Sequence, residues 1–251
     1  MLKLMKYEFR KTWATKLILL GITAAAEIVY LIGLYTGHQD TTGMAIFLLV
    51  MLAFGGVLVI GLESVITLHR DMNTKQSYML FMTPNSSYKI LGAKVLECGL
   101  SILVTGAFFF FLGALDITLL FAKEGQLSQL WNTIQDFLKS FTVNGHEITF
   151  DTVTMACVTL NLLAGWIGTV TMAYLAVAVS AALLNGKRFN GLVCFVLFLA
   201  LSWLVSYVQR TVIPSTVSIN STMLLYSLFD LAFAAVMYVV TAQIMERKLS
   251  V

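Results

Sequence analysis

Glu27, Asn161 and Asp230 are the residues whose positions most demand an explanation, because each polar group stands deep inside an apolar run. Glu27 lies 11 residues beyond Lys16, which is roughly 16 Å along a helix rising 1.5 Å per residue. Asp230 sits 9 residues beyond Ser221, and Asn161 ten beyond Asp151. An ionised side chain at the centre of a bilayer costs about 3 kcal/mol or more unless it is partnered. Two readings follow. The three residues line a cargo path between the leaflets, or they are protonated or hydrogen-bonded groups that hold helices together. Glu63, Glu97, Asp116 and Arg210 fall near the ends of apolar runs, where snorkelling toward water accounts for them.

Catalytic and metal-binding patterns are missing. His38, His69 and His146 fall in three different loops, and His146-Glu147 has no second histidine to complete a zinc-protease motif. No GxSxG elbow accompanies the serines. Gly186-Lys187 lacks the preceding glycine spacing of a phosphate-binding loop. Cys98, Cys157 and Cys194 are odd in number and far apart, each within an apolar run, and indicate neither a disulfide framework nor a metal site. The expectation is a chain without catalytic or metal-ligating residues and without a cofactor of its own. Any ATP-driven work would need another subunit.

The elements that position the three polar residues follow from the composition. Of 251 residues, 59% are hydrophobic and 12% charged, and the mean hydropathy is +0.86. Soluble domains run nearer ~45–50% apolar and ~25% charged, so water is not this chain's only solvent. The net charge of +3 is too small to point to nucleic acid. A helix crossing ~30 Å of hydrocarbon needs roughly 20 mostly apolar residues. Six segments qualify: 17–35, 44–68, 90–112 (running on toward Phe121), 153–184, 192–208 and 223–244. A basic start, an apolar run from Leu17 and Ala24–Ala26 resemble a cleavable signal, but apolar sequence resumes from Ile28 to Tyr35. A retained first span is expected.

The basic residues set the orientation. With the N-terminus inside, the inner segments hold Lys3, Lys6, Arg10, Lys11, Lys16, Arg70, Lys75, Lys89, Lys94, Lys187, Arg188, Arg247 and Lys248, thirteen of the sixteen Lys and Arg. Only Lys123, Lys139 and Arg210 fall outside, a bias that places both ends in the cytoplasm. The fold expected is an all-α membrane protein, one transmembrane domain over 1–251 with six spans. Its parts are an interfacial helix (1–16), the first two spans (17–68), an inner loop (69–89), the third span (90–121), an outer segment (122–152) and the last three spans (153–251).

Two extramembrane pieces have their own pattern. Leu2, Met5, Phe9 and Trp13 form an apolar stripe beside Lys3, Lys6 and Arg10, the pattern of a helix lying in the headgroup region against anionic lipid. In the outer segment, Leu127, Leu130, Trp131, Ile134, Phe137, Leu138 and Phe141 recur at spacings of three and four, predicting an amphipathic helix, and 143–146 reads as a turn. Gly55, Gly56, Gly61, Gly165 and Gly168, with Ala173, Ala176, Ala178, Ser180 and Ala181, permit close helix approach within the chain or toward a second membrane subunit.

The inner loop is unusual. It carries Thr74, Lys75, Gln76 and Ser77, then the apolar group Tyr78, Met79, Leu80, Phe81 and Met82, then Pro84 and the capping candidates Ser86 and Ser87. An exposed apolar turn in the cytoplasm needs a cover. Here the chain resembles the permease subunits of type-2 ATP-binding-cassette exporters. In that family an amphipathic N-terminal helix precedes six spans, and the first inner loop forms a coupling helix followed by a proline turn and a lysine. Leu80-Phe-Met-Thr-Pro-Asn-Ser86, Lys94 and Tyr7-Glu-Phe-Arg-Lys-Thr-Trp13 look like those parts, although the glycine common before the turn is absent from 74–77. The resemblance implies a subunit that couples to cytoplasmic ATPase subunits through residues 74–82. It implies a second permease copy or a sister permease, with ATP and Mg held by the ATPase partner. Cargo in the family spans antibiotics, peptides, lipids and glycans, and a bacterial plasma membrane is the expected setting. A scaffold or sensor subunit that anchors a cytoplasmic partner is the competing expectation.

Overall fold

Within hydrocarbon no water is available to the backbone, so an apolar run must satisfy its own N–H and C=O groups, and the α-helix does this residue by residue. The computed structural model describes residues 2–73, 86–123, 125, 129–130, 132, 134, 142–143, 146–147, 152–184, 190–213 and 219–249. Among these are seven helices of substantial length: α1 (Leu2–Lys11), α2 (Trp13–Thr36), α3 (Gln39–Asn73), α4 (Ser87–Lys123), α5 (Thr152–Leu184), α6 (Asn190–Val212) and α7 (Ile219–Leu249). Six of them, 22 to 37 residues long, are long and apolar enough to cross a bilayer. The chain is an all-α, multi-pass membrane protein.

The spans expected from the sequence coincide with α2 to α7. The third does run on, ending at Lys123. Helices α3, α4 and α5, with 35, 37 and 33 residues, are each about 50 Å or more at 1.5 Å per residue, so they tilt or reach past the hydrocarbon. The outward faces of the spans are apolar: Phe54 on α3, Phe110 on α4 and Trp203 on α6 are more than 70% exposed. That surface suits lipid and not water.

Most of the buried polar residues are serines and threonines, and several are satisfied within their own helix. Thr23 donates to Leu19 O at 2.8 Å, Ser227 to Met223 O at 2.7 Å and Thr241 to Met237 O at 2.7 Å. Each returns its proton to the carbonyl one turn back, leaving little exposed polarity between packed helices.

The described residues gather into two compact units. The first comprises 1–9, 61–99 and 152–251. Within it α5 packs most extensively along α7, then along α6. Leu175, Val205 and Met237 form a core there, with Met172, Phe229 and Phe233 against it. Gly61 lets α3 approach the Trp166 ring, which an added Cβ would meet at 3.3 Å.

The second unit comprises 10–60 and 100–151. Its core is Ala26, Tyr30, Leu34, Ala45 and Leu49, backed by Leu112, Leu119 and Leu120. Tyr30 and Leu34 follow Ala26 at intervals of four, one face of a helix. The reversal from α2 into α3 is tight. Gly37 takes φ 76°, closing α2 with its N–H toward the carbonyls of Gly33 and Leu34. At Gly33 the two helices nearly touch: a Cβ would stand 3.0 Å from both the backbone N and Oγ1 of Thr42.

Helix α1 ends at Lys11, and Thr12, at φ −95° and ψ 4°, separates it from α2. Trp13 therefore opens the first span and is 56% exposed, while Met5 and Phe9 lie half-buried on α1. The side chain of Leu2 and the whole coupling segment, Thr74 to Met82, lie outside the described residues. Most of the expected outer amphipathic helix does too. Around the expected turn, Thr142–Val143 pairs antiparallel with His146–Glu147, Val143 opposite His146.

Candidate functional site

Lys94 is the most deeply buried charge described. Its side chain is 2% exposed, with Nζ 2.9 Å from Glu8 Oε2 and 2.7 Å from Asp71 Oδ2. The three residues come from α4, α1 and α3, so one ammonium group ties three elements of the first unit together. Asp71 lies three residues before Thr74, and Lys94 eight after Ser86. The triad thus fixes both helix ends that lead into and out of the inner loop and joins the N-terminal helix to them. Sequence reading singled out Lys94 but missed Glu8 and Asp71. The available signal was Glu8 itself, the one acid in a basic helix, spaced four residues from both Leu4 and Thr12. Nearby, Ser64 on α3 hydrogen-bonds the Tyr174 hydroxyl of α5, and Tyr238 of α7 donates to Tyr88 O at 2.5 Å.

Asp230 lines a cavity of about 210 Å³ between α5, α6 and α7. Thr169, Ser202, Ser206 and Gln209 share its wall, an unusual concentration of polar groups for spanning helices. Gln209 Nε2 donates to Asp230 Oδ1 at 3.3 Å. Gly165 and Gly168 open the space: a Cβ at either would come within 3.7–3.8 Å of Asp230. Asn161 does different work. Its Nδ2 donates to Met223 O at 3.2 Å and to Ser227 Oγ at 3.5 Å, fastening α5 to α7 two turns before Asp230. Of the two candidates in this unit, one faces a cavity and one is a clamp.

Glu27 belongs to the second unit, where it neighbours Asp116 on α4. Asp116 is 8% exposed, so snorkelling does not account for it; Glu97, 4% exposed, is likewise buried. The reason lies in length: α4 continues to Lys123, which places Asp116 seven residues inside the helix end. Glu27 stands nine residues before the end of α2, on the C-terminal side of that helix's midpoint. Tyr30 donates its hydroxyl to Asp116 O at 2.7 Å, and Lys123 gives its ammonium to Leu34 O.

Compared with known proteins, the chain matches no family model, no curated protein and no solved structure.

Proposed function

We propose that this chain is the membrane-spanning permease subunit of an ATP-driven exporter, moving an amphipathic substrate (a peptide, an antibiotic or a lipid-like molecule) outward with ATP hydrolysed by a separate cytoplasmic subunit. The single observation that carries the reading is the Asp230 cavity: a polar chamber among spanning helices is costly for a protein that only anchors. The Glu8–Lys94–Asp71 triad supports the mechanical half of the reading, because displacement of the inner loop would be passed to α1, α3 and α4 together. The working unit pairs two permeases, this chain with a second copy or a sister, with two ATP-binding-cassette ATPase subunits docked on residues 74–82, in a bacterial plasma membrane. This chain itself does no bond chemistry; ATP and Mg belong to the partner.

One observation favours the scaffold alternative. A cavity of about 210 Å³ is smaller than the ~300–1,000 Å³ typical of ligand sites, so it holds a headgroup and not a whole peptide. Flux in reconstituted vesicles separates the two readings. Asp230→Asn is expected to lower ATP-stimulated efflux at least fivefold while the complex still assembles. Unchanged efflux in that variant would remove Asp230 from the cargo path.

A further inference from the structure

The Asp230 cavity lies wholly within the first unit, and its wall is ordered by helix geometry. On α6, Ser202, Ser206 and Gln209 follow at spacings of four and three; on α7, Asp230, Phe233 and Met237 follow at three and four. Each helix thus turns one face to the space. Helices α5 and α7 run in the same direction there, since Asn161 bonds to Met223 and Ser227 while Gly165 and Gly168 stand opposite Asp230 further on. Along that direction the wall changes from polar to apolar, Asp230 giving way to Phe233 on α7 and Thr169 to Met172 on α5. The polar end is rich in acceptors. Thr169 gives its hydroxyl proton to Gly165 O at 2.8 Å, which leaves that oxygen to accept. Gln209 occupies Asp230 Oδ1, and the second carboxyl oxygen faces Gly165, where a Cβ would stand 3.8 Å away. Among the described residues lining the space, Asp230 is the one ionisable side chain. A carboxylate among spanning helices needs a counter-charge, and this wall supplies none.

We infer that the cavity takes the primary ammonium headgroup of an amphiphile, its N–H donors directed to Asp230, the Thr169 oxygen and the Ser206 hydroxyl, and its first methylenes against Met172 and Phe233. The chemistry matches on both sides: an ammonium group brings three N–H donors, no acceptor and one positive charge. The size matches as well, because about 210 Å³ holds a headgroup and not its chain. Thr169 and Ser206 are exposed, so the space opens sideways between α5 and α6, and the chain leaves through that opening into lipid. The inference rests on the exporter reading only in that it names the headgroup of the cargo. Binding is therefore measured without ATPase or ATP, so that the two can fail separately.

The purified full-length chain in phosphatidylcholine nanodiscs is titrated with octylammonium, octyltrimethylammonium and octanol, with empty nanodiscs to subtract partition into lipid. Saturable binding of octylammonium is expected, roughly tenfold or more tighter than either comparator, the factor that one charge-assisted hydrogen bond supplies. Asp230→Asn keeps the shape and removes the charge. Ser206→Leu fills the opening from α6 and leaves Asp230 in place. Each is expected to weaken octylammonium binding by a similar factor, with an unchanged gel-filtration profile. Nanodiscs that also contain phosphatidylethanolamine separate two sources of such a headgroup: competition identifies the bilayer lipid, and its absence a free amphiphilic amine. Equal binding of the three probes, or octylammonium binding that survives in either folded variant, overturns the inference. Efflux that still requires Asp230 beside such a result leaves the exporter reading standing. Selective octylammonium binding without ATP-driven efflux upholds the inference and removes the exporter.

Discussion

Lys94 carries two buried carboxylates on one ammonium group, and the balance of such a cluster depends on every member being present. Removing one partner from a buried ion pair leaves an uncompensated charge and costs about 3–5 kcal/mol. Lys94→Met keeps the length and apolar stem of the side chain and deletes only the charge. That variant is expected to lose roughly this amount in denaturant unfolding of the detergent-solubilised protein, and Glu8→Gln with Asp71→Asn in the same chain should return part of it. Full stability in Lys94→Met alone would mean that the triad is idle. The residue scale is also where the sequence was least legible. Depth along a run marked Glu27, Asn161 and Asp230 as unusual, but depth says nothing about partners. Asn161 proved to be a clamp on Met223 and Ser227, and Glu27 found Asp116, which the sequence had placed at a helix end.

Elements were far more legible than residues. Backbone satisfaction in hydrocarbon leaves the helix as the only answer for a run of 20 or more apolar residues, and all six expected spans exist. Their ends were harder, since α3, α6 and α7 continue several residues past the apolar runs into polar sequence that hydropathy reads as loop. The α2–α3 hairpin was legible only in part: a glycine at 37 marks a helix end, whereas the close approach at Gly33 depends on which residue faces it. Gly33→Ala would set a Cβ 3.0 Å from the Thr42 backbone nitrogen, which cannot swing aside as a flexible side chain would. The expected cost is about 1–3 kcal/mol, as for other overpacked contacts, read as a fall in thermal stability in detergent. Gly21→Ala, where a Cβ meets nothing within 4 Å, serves as the control and should be neutral or slightly stabilising.

At the scale of the whole molecule, the expected topology rests on the thirteen cations assigned to the inner side, while the division into two compact units follows from contacts between distant segments that no periodicity in the sequence reveals. Cysteines placed singly at Lys123 and Arg210, after replacement of Cys98, Cys157 and Cys194, are expected to react with an impermeant maleimide in intact cells. Cysteines at Lys75 and Lys187 are expected to react only after the membrane is opened. Labelling of Lys75 in intact cells would invert the orientation and with it the direction of transport. The central claim is that force from a cytoplasmic ATPase enters through residues 74–82 and moves a cargo-bearing bundle. The most direct measurement is ATP-driven uptake of a fluorescent cationic amphiphile into inside-out vesicles holding this chain and its co-purifying ATPase, wild type beside Tyr78→Ala with Phe81→Ala. Truncating aromatic anchors at an interface typically costs ~2 kcal/mol or more each. The account predicts strong uptake by the wild type. In the double variant it predicts either loss of the ATPase from the complex or ATP turnover without uptake. Uptake by the double variant equal to wild type, with its ATPase retained, would contradict it.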